Sequence, residues 1–167
     1  MIYYITGGTR SGKSSYAQKL ALSLSDQPVY LATARKWDDD FKQRIKRHQD
    51  DRDERWENIE EEKYPSKIEL KGRVVVLDCV TLWLTNFFSD GKYNVDETLS
   101  FIKNDFDQLA GVDARWIIIS NEIGMGMHAD TEIGRKFADL QGWINQHIAE
   151  RADKAIFMVS GIPLNLK

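Results

Sequence analysis

The chain has 167 residues, which fits one domain with a substantial buried core. Its 23 Lys and Arg against 26 Asp and Glu give a net charge of -3, which argues against a surface built to attract nucleic acid or acidic lipid. The single cysteine, Cys79, cannot form an internal disulfide, and its place in an apolar run predicts a buried thiol in a reducing compartment. No apolar stretch approaches the roughly twenty residues of a membrane helix, and the chain opens without a signal-like prefix, so we expect a cytoplasmic protein.

Short runs of β-branched and aromatic residues alternate along the chain with segments of helical period. These runs predict strands at residues 2–5, 29–31, 74–77, 116–119 and 156–159. Strands that alternate with helices favour a mostly parallel sheet with helices on both faces. We therefore expect an α/β fold in a single domain that spans residues 1–167.

Apolar stripes between the strands predict helices that pack on the sheet. The stripe after the first strand consists of Tyr16, Leu20 and Leu24. Asn94, with Glu97 three residues later, matches a capping box and predicts a helix that ends at Gly111. The stripe after the fourth strand consists of Ile133, Phe137, Ile144 and Ile148.

A glycine-rich loop separates the first strand from the first helix. It reads Gly7-Gly8-Thr9-Arg10-Ser11-Gly12-Lys13-Ser14 and fits the phosphate-loop pattern G-x-x-x-x-G-K-[ST]. Backbone N–H groups of such a loop converge on phosphates, and the helix N-terminus adds partial positive charge. Lys13 would bridge the β- and γ-phosphates, while Ser14 would bind magnesium. A turn that binds nothing is the alternative, but strand, loop and helix all agree with a nucleotide site.

Two carboxylates follow predicted strands and should face the same crevice at the carboxyl ends of the sheet. Asp78 closes the third run, where a phosphate-loop protein places the carboxylate that holds magnesium or its water. The alternative for Asp78 is a cap of the following helix. Glu122 follows the fourth run, and metal shell, base and structural acceptor all stay open as its role.

Residues 37–63 are crowded with charged side chains and supply few residues for a core, so we expect a partly helical surface segment beside the site. If it is helical, Arg44 and Arg52 lie one turn on either side of His48. Guanidinium groups there would hold phosphate oxygens and keep the imidazole unprotonated, which suits a nucleophile. A solvated surface histidine is the alternative.

Several sequence segments together resemble one enzyme family. They follow one another in the same order as in that family and cover nearly the whole chain. The most specific are Arg-Ile-x-x-His at 44–48, Asp-Cys-x-Thr-Leu-Trp at 78–83 and Asn-Glu-x-Gly at 121–124. The phosphate loop, residues 30–34, Trp56 with Glu60, and the last eight residues continue the match. The family is the bifunctional adenosylcobinamide kinase/adenosylcobinamide-phosphate guanylyltransferase of cobalamin biosynthesis.

This resemblance implies two reactions. ATP or GTP would phosphorylate the aminopropanol hydroxyl of adenosylcobinamide, with Lys13 and magnesium neutralising charge. The residue that matches the family's guanylylated histidine, His48, would then attack the α-phosphate of GTP and pass GMP to adenosylcobinamide phosphate. The product would be adenosylcobinamide-GDP.

The resemblance also implies a RecA-like parallel sheet, a homotrimer and a set of site residues. Lys13 and His48 would be catalytic, and Ser14 and Asp78 would hold magnesium. Nucleotide contacts would fall on the phosphate loop and on Ala32, Thr33, Ala34, Gln49, Asp50, Asp51, Arg52, Glu60 and Asp78.

The chain departs from the family pattern at two places, both relevant to the corrinoid. Asp53 stands where the family usually has proline, and Gly126-Met127-His128-Ala129 replaces a usual Gly-Ile-Val-Pro. Three other functions stay open: a simple kinase of another metabolite, a nucleic-acid motor and a nucleotide sensor without turnover. The acidic net charge argues against the motor.

Overall fold

The alternation of strands and helices predicted from the sequence is present in the computed structural model, which describes residues 1–35 and 52–167. The strands are β1 (Ile2–Gly7), β2 (Val29–Ala32), β3 (Glu57–Glu60), β4 (Val74–Asp78), β5 (Arg115–Ile119), β6 (Lys154–Val159) and β7 (Ile162–Asn165). The α-helices of this part of the chain are α1 (Lys13–Leu24), α2 (Val80–Asp90), α3 (Val95–Ala110) and α4 (Glu132–Arg151).

The strands form one sheet in the order β3-β2-β4-β5-β1-β6-β7. Every neighbouring pair is parallel except β6 with β7, so the predicted mostly parallel sheet is confirmed. The carboxyl ends of β1, β2, β4 and β5 therefore meet at one edge of the sheet. That edge is where the sequence places the phosphate loop, residues 32–34, Asp78 and Glu122.

Helices cover both faces of the sheet, as predicted. Alternate residues of β4 show this directly, because Val75 and Leu77 pack with residues of α2, α3 and α4, whereas Val74 and Val76 pack with residues of α1. A strand buried on both sides reads as a continuous apolar run, which is why residues 74–77 carry no polar residue. None of the helices in the described ranges has both the length and the apolar character that a bilayer-spanning segment requires.

The apolar stripes predicted for the helices agree only partly with the residues that the helices bury. The most buried apolar residues of α1 are Ala17 and Ala21, because the helix lies close to the sheet, while the predicted Tyr16, Leu20 and Leu24 pack at the margin. In α4 the prediction for Ile133 is wrong, since its side chain is 47% exposed. Asn94 does cap α3, by accepting a hydrogen bond from the Glu97 N–H.

Two strands of the structure, β3 and β7, were not predicted from the sequence. Residues 57–60 were expected in a partly helical segment, and this prediction is wrong for them because they form a parallel edge strand beside β2. Both missed strands lie at the edges of the sheet and carry mostly exposed side chains, so neither shows the apolar pattern of a buried strand.

Candidate active site

The phosphate loop joins the end of β1 to the start of α1. Gly7 and Gly12 have φ values of 152° and 95°, which favour glycine. A Cβ on Gly7 would lie 2.5 Å from the Met158 carbonyl oxygen, and one on Gly12 would lie 3.0 Å from the Gly161 Cα. The Gly161 N–H also donates to the Ser11 carbonyl oxygen at 2.9 Å. The loop is thus shaped by its own glycines and by the chain that follows β6.

Lys13 begins α1 with its side chain folded back over the loop. Its Nζ donates to the carbonyl oxygens of Gly7 and Gly8, at 3.0 and 2.7 Å. Burial lowers the pKa of Lys13, and the nearby Cys79 and Asp78 oppose that effect. A buried ammonium held this way lies where the loop amides would gather phosphates, and phosphate oxygens could replace the two carbonyls as its partners.

Ser14 and Asp78 lie next to each other although 64 residues separate them in the sequence. The Ser14 hydroxyl donates to Asp78 Oδ2 at 3.2 Å, and the Tyr30 hydroxyl donates to the same oxygen. Burial, followed by the charge of Asp78, raises the pKa of Tyr30 well above its usual range, so Tyr30 stays a donor at neutral pH. The alternative role of Asp78 as a helix cap finds no support, because Cys79 occupies the N-cap position of α2.

The Ser14 hydroxyl and the Asp78 carboxylate present oxygen donors of the kind that magnesium prefers. Magnesium in phosphate sites is usually held by one or two carboxylates together with substrate phosphates and water, rather than by a cage of protein ligands. Within the described residues no group of three or more His, Cys, Asp or Glu side chains could hold a metal ion. Ser14 and Asp78 would therefore need a nucleotide to complete the shell.

Residues 32–34 continue from β2 at the same edge. Ala32 pairs directly with Asp78 across the sheet. Thr33 is fully buried, and its hydroxyl donates to the Cys79 carbonyl oxygen at 2.8 Å and accepts from the Cys79 N–H at 3.0 Å. Asn86 donates to the Thr33 carbonyl oxygen at 2.8 Å. The side chain of Thr33 thus ties β2 to the residue after Asp78, and the predicted nucleotide contacts of residues 32–34 stay predictions.

The predicted histidine segment is described only at its end. His48, Gln49, Asp50 and Asp51 lie outside the described residues, and their roles stay predictions. Arg52 is described, and its guanidinium carbon lies 3.7 Å from the centre of the Tyr30 ring, while its Nε donates to the Asn58 side chain at 2.8 Å. Glu60, at the end of β3, pairs with Ala32 across the sheet. Arg52, four residues after His48 in the sequence, therefore lies against Tyr30, whose hydroxyl donates to Asp78.

Glu122 lies at the same edge, just after β5, the strand that stands between β4 and β1. Its N–H donates to the Gly7 carbonyl oxygen at 3.0 Å, and its Oε1 accepts from the Gly124 N–H at 2.7 Å. The side chain thus acts at least as an acceptor within its own loop. A metal or base role for Glu122 stays a prediction.

Sequence reasoning missed Tyr30, which the structure places between Asp78 and Arg52. Tyr30 lies in a run of strand residues and looks there like an ordinary core aromatic. The strand period does place Tyr30 on the same face as Ala32, since residues two apart on a strand share a face, but this alone does not bring it to Asp78. The register that sets Ala32 against Asp78 could not be read from the sequence.

The phosphate loop, the mostly parallel sheet and the helices on both faces define the class: a P-loop nucleotide-binding protein of the α/β class. The family model described as "Cobinamide kinase / cobinamide phosphate guanyltransferase" matches residues 3–166. The chain therefore belongs to the cobinamide kinase / cobinamide phosphate guanyltransferase family, and it is an enzyme of that kind.

Individual relatives agree with this family. The bifunctional adenosylcobalamin biosynthesis protein CobP of Pseudomonas aeruginosa is 37% identical over 98% of this chain and 95% of its own length. The corresponding protein CobU of Escherichia coli is 32% identical over the whole of both chains. Among solved structures, the flagellar accessory protein FlaH of Methanocaldococcus jannaschii is similar with a TM-score of 0.48 and 16% identity, covering 99% of this chain and 77% of that one.

Proposed function

We propose that this chain phosphorylates adenosylcobinamide with ATP or GTP and then transfers GMP from GTP to adenosylcobinamide phosphate. Both activities would reside in one domain of residues 1–167, in the cytoplasm. One observation carries the proposal: in a chain of this family, the buried Lys13 and the Ser14–Asp78 pair lie together at one phosphate loop. The alternative to this bifunctional enzyme is a simple kinase that phosphorylates another metabolite without a covalent histidine step.

The kinase step would use the loop as a cradle for the triphosphate. Loop amides and the N-terminus of α1 would hold the phosphates, and Lys13 would follow the charge that develops on the transferred γ-phosphoryl group. Magnesium, held by Ser14 and Asp78, would supply further charge neutralisation on the phosphates. With little covalent chemistry for the protein to perform, alignment of donor and acceptor is its main contribution.

The guanylyl step would use His48. Its imidazole nitrogen would attack the α-phosphorus of GTP, forming a P–N bond while the bond to the β-phosphate oxygen breaks and pyrophosphate leaves. A phosphate oxygen of adenosylcobinamide phosphate would then displace the imidazole. The position of Arg52, four residues after His48 in the sequence, supports this, because its guanidinium lies over the ring of Tyr30, whose hydroxyl donates to Asp78.

Labelling with GTP that carries ³²P at the α-position tests this proposal. The wild-type chain is expected to acquire an acid-labile, base-stable label, since a phosphoramidate has those properties. His48→Ala is expected to acquire none, yet to keep the transfer of γ-phosphate to adenosylcobinamide. His128→Ala and His147→Ala are the matched controls and should label like the wild type.

The outcomes separate the alternatives. Label on His48→Ala would place the nucleophile elsewhere. An unlabelled wild type that still phosphorylates adenosylcobinamide would leave only the kinase activity. An unlabelled wild type that binds GTP without any turnover would identify a nucleotide sensor.

The homotrimer also belongs to this proposal. Its support is β7, an edge strand with apolar side chains in solvent: Ile162 is 68% exposed and Leu164 55%. Exposed apolar edge strands are ready surfaces for pairing between chains. Sedimentation equilibrium is expected to give the mass of three chains, and a monomeric mass at micromolar concentration would contradict the trimer.

A further inference from the structure

Tyr30 reaches the site because of the register between β2 and β4. Tyr30 pairs with Val76 and Ala32 pairs with Asp78, so all four side chains lie on the same face of the sheet. Tyr30 and Asp78 are diagonal neighbours there, a separation that a long aromatic side chain can span. Ala32 lies directly opposite Asp78, and the Tyr30 hydroxyl donates to the carboxylate from the diagonal position.

Two neighbouring side chains hold the ring of Tyr30 in place, one over its face and the other at an angle to it. The Arg52 guanidinium lies over it at 3.7 Å, and the Trp56 ring meets it at 6.0 Å with an angle of 78° between the planes. The side chain is only 3% exposed. A ring held in this way has little freedom to swing its hydroxyl to another partner.

The hydrogen bonds converge on a single oxygen of the candidate metal ligand. Tyr30 and Ser14 both donate to Asp78 Oδ2, and neither donates to Oδ1. When Ser14 turns to a metal ion, as the proposed function requires, the bond from Tyr30 would still orient the carboxylate. Lone pairs of Oδ1 would then face the ion or its water.

We propose that Tyr30 is a positioning residue that sets the Asp78 carboxylate for magnesium, with Arg52 and Trp56 holding its ring in place. This inference rests on the proposed function, in which Asp78 helps to hold the metal. It extends that function by assigning a role to a core tyrosine and by linking the end of the histidine segment to the magnesium side of the site. Hydrogen-bond partners of metal ligands commonly change metal affinity 10- to 100-fold, which is roughly the effect at stake.

Tyr30→Phe tests the inference, because it removes the hydroxyl and keeps the ring. Calorimetry would measure binding of an α,β-methylene analogue of GTP, which cannot transfer GMP, in EDTA and at increasing magnesium concentration. The variant is expected to bind the analogue normally in EDTA. The magnesium concentration that gives half of the gain in affinity for the analogue is expected to rise about tenfold or more. Tyr3→Phe, a tyrosine of β1 that packs against the same apolar cluster, is the matched control and should follow the wild type.

A double-mutant cycle gives a second test, and it distinguishes action of Tyr30 through Asp78 from a merely structural role of Tyr30. If Tyr30 acts through Asp78, then Tyr30→Phe should not alter the magnesium requirement further in an Asp78→Asn background. The inference is overturned if Tyr30→Phe follows the wild-type magnesium titration, or if it weakens binding equally in EDTA and in magnesium. Failure of the wild type itself to bind the analogue more tightly with magnesium would instead overturn the proposed function, and the inference with it.

Discussion

Lys13→Ala is expected to weaken the binding of ATP and GTP by at least about 100-fold and to abolish both phosphoryl and guanylyl transfer. The reason is that the variant removes the one ammonium group that lies against the loop carbonyls of Gly7 and Gly8 in the described part of the chain. The thermal midpoint of the nucleotide-free protein should fall little, because burial lowers the pKa of Lys13 and so already disfavours its charged form in the folded chain. Calorimetric titration with nucleotide and a thermal melt measure the two effects.

Lys19→Ala is the matched control for this variant. Lys19 lies on the same helix, α1, and is exposed, so its removal should leave nucleotide affinity within about twofold of the wild type. Binding by Lys13→Ala at near wild-type affinity would mean that the loop is not the nucleotide site. The proposed function would then lose the observation that carries it.

Gly7→Ala is expected to be the most damaging single-methyl change in the loop. The added Cβ would lie 2.5 Å from the Met158 carbonyl oxygen and 2.8 Å from the Ser11 hydroxyl oxygen, and φ at this position is 152°. Backbone strain and the clash with backbone together should lower the free energy of unfolding by about 3 kcal/mol. Movement of the loop to relieve the clash should also abolish nucleotide binding. Urea denaturation and calorimetry measure these two losses.

Gly142→Ala provides the comparison for this substitution. Gly142 lies within α4, and nothing would lie within 4 Å of an added Cβ. The same methyl group is therefore expected to raise the free energy of unfolding by about 0.5–1 kcal/mol, as alanine usually does in a helix. Equal stability of the Gly7→Ala chain and the wild type would show that the loop can shift at no cost.

The sequence predicted the buried part of the fold well and its edges poorly. Central strands such as β4 are covered on both faces, so their composition alone marks them. Strand β3 has no such mark, because its identity depends on hydrogen bonds to β2, which no local pattern encodes. Ile133 was wrongly placed in the core because a helical stripe fixes the direction of a side chain but not how far the neighbouring elements extend.

The candidate site divides in the same way. The phosphate loop has its mechanism in its residue types, so Gly7, Lys13 and Ser14 could be found without coordinates. The meeting of Ser14 with Asp78 depends on strand order, and the meeting of Tyr30 with Asp78 depends on register. A local reading of the sequence can supply neither, which is why Tyr30 was found only in the structure.

The packing of residues 158–161 on the phosphate loop bears on how the protein is made. Ribosomes release the loop residues early, yet the Gly161 N–H that holds Ser11 and the strand β6 that flanks β1 are synthesised some 150 residues later. Until those residues are synthesised, the nascent loop lacks the contacts with β6 and Gly161 that set its shape. Capture of the first nucleotide should consequently wait until residues 158–161 have left the ribosome.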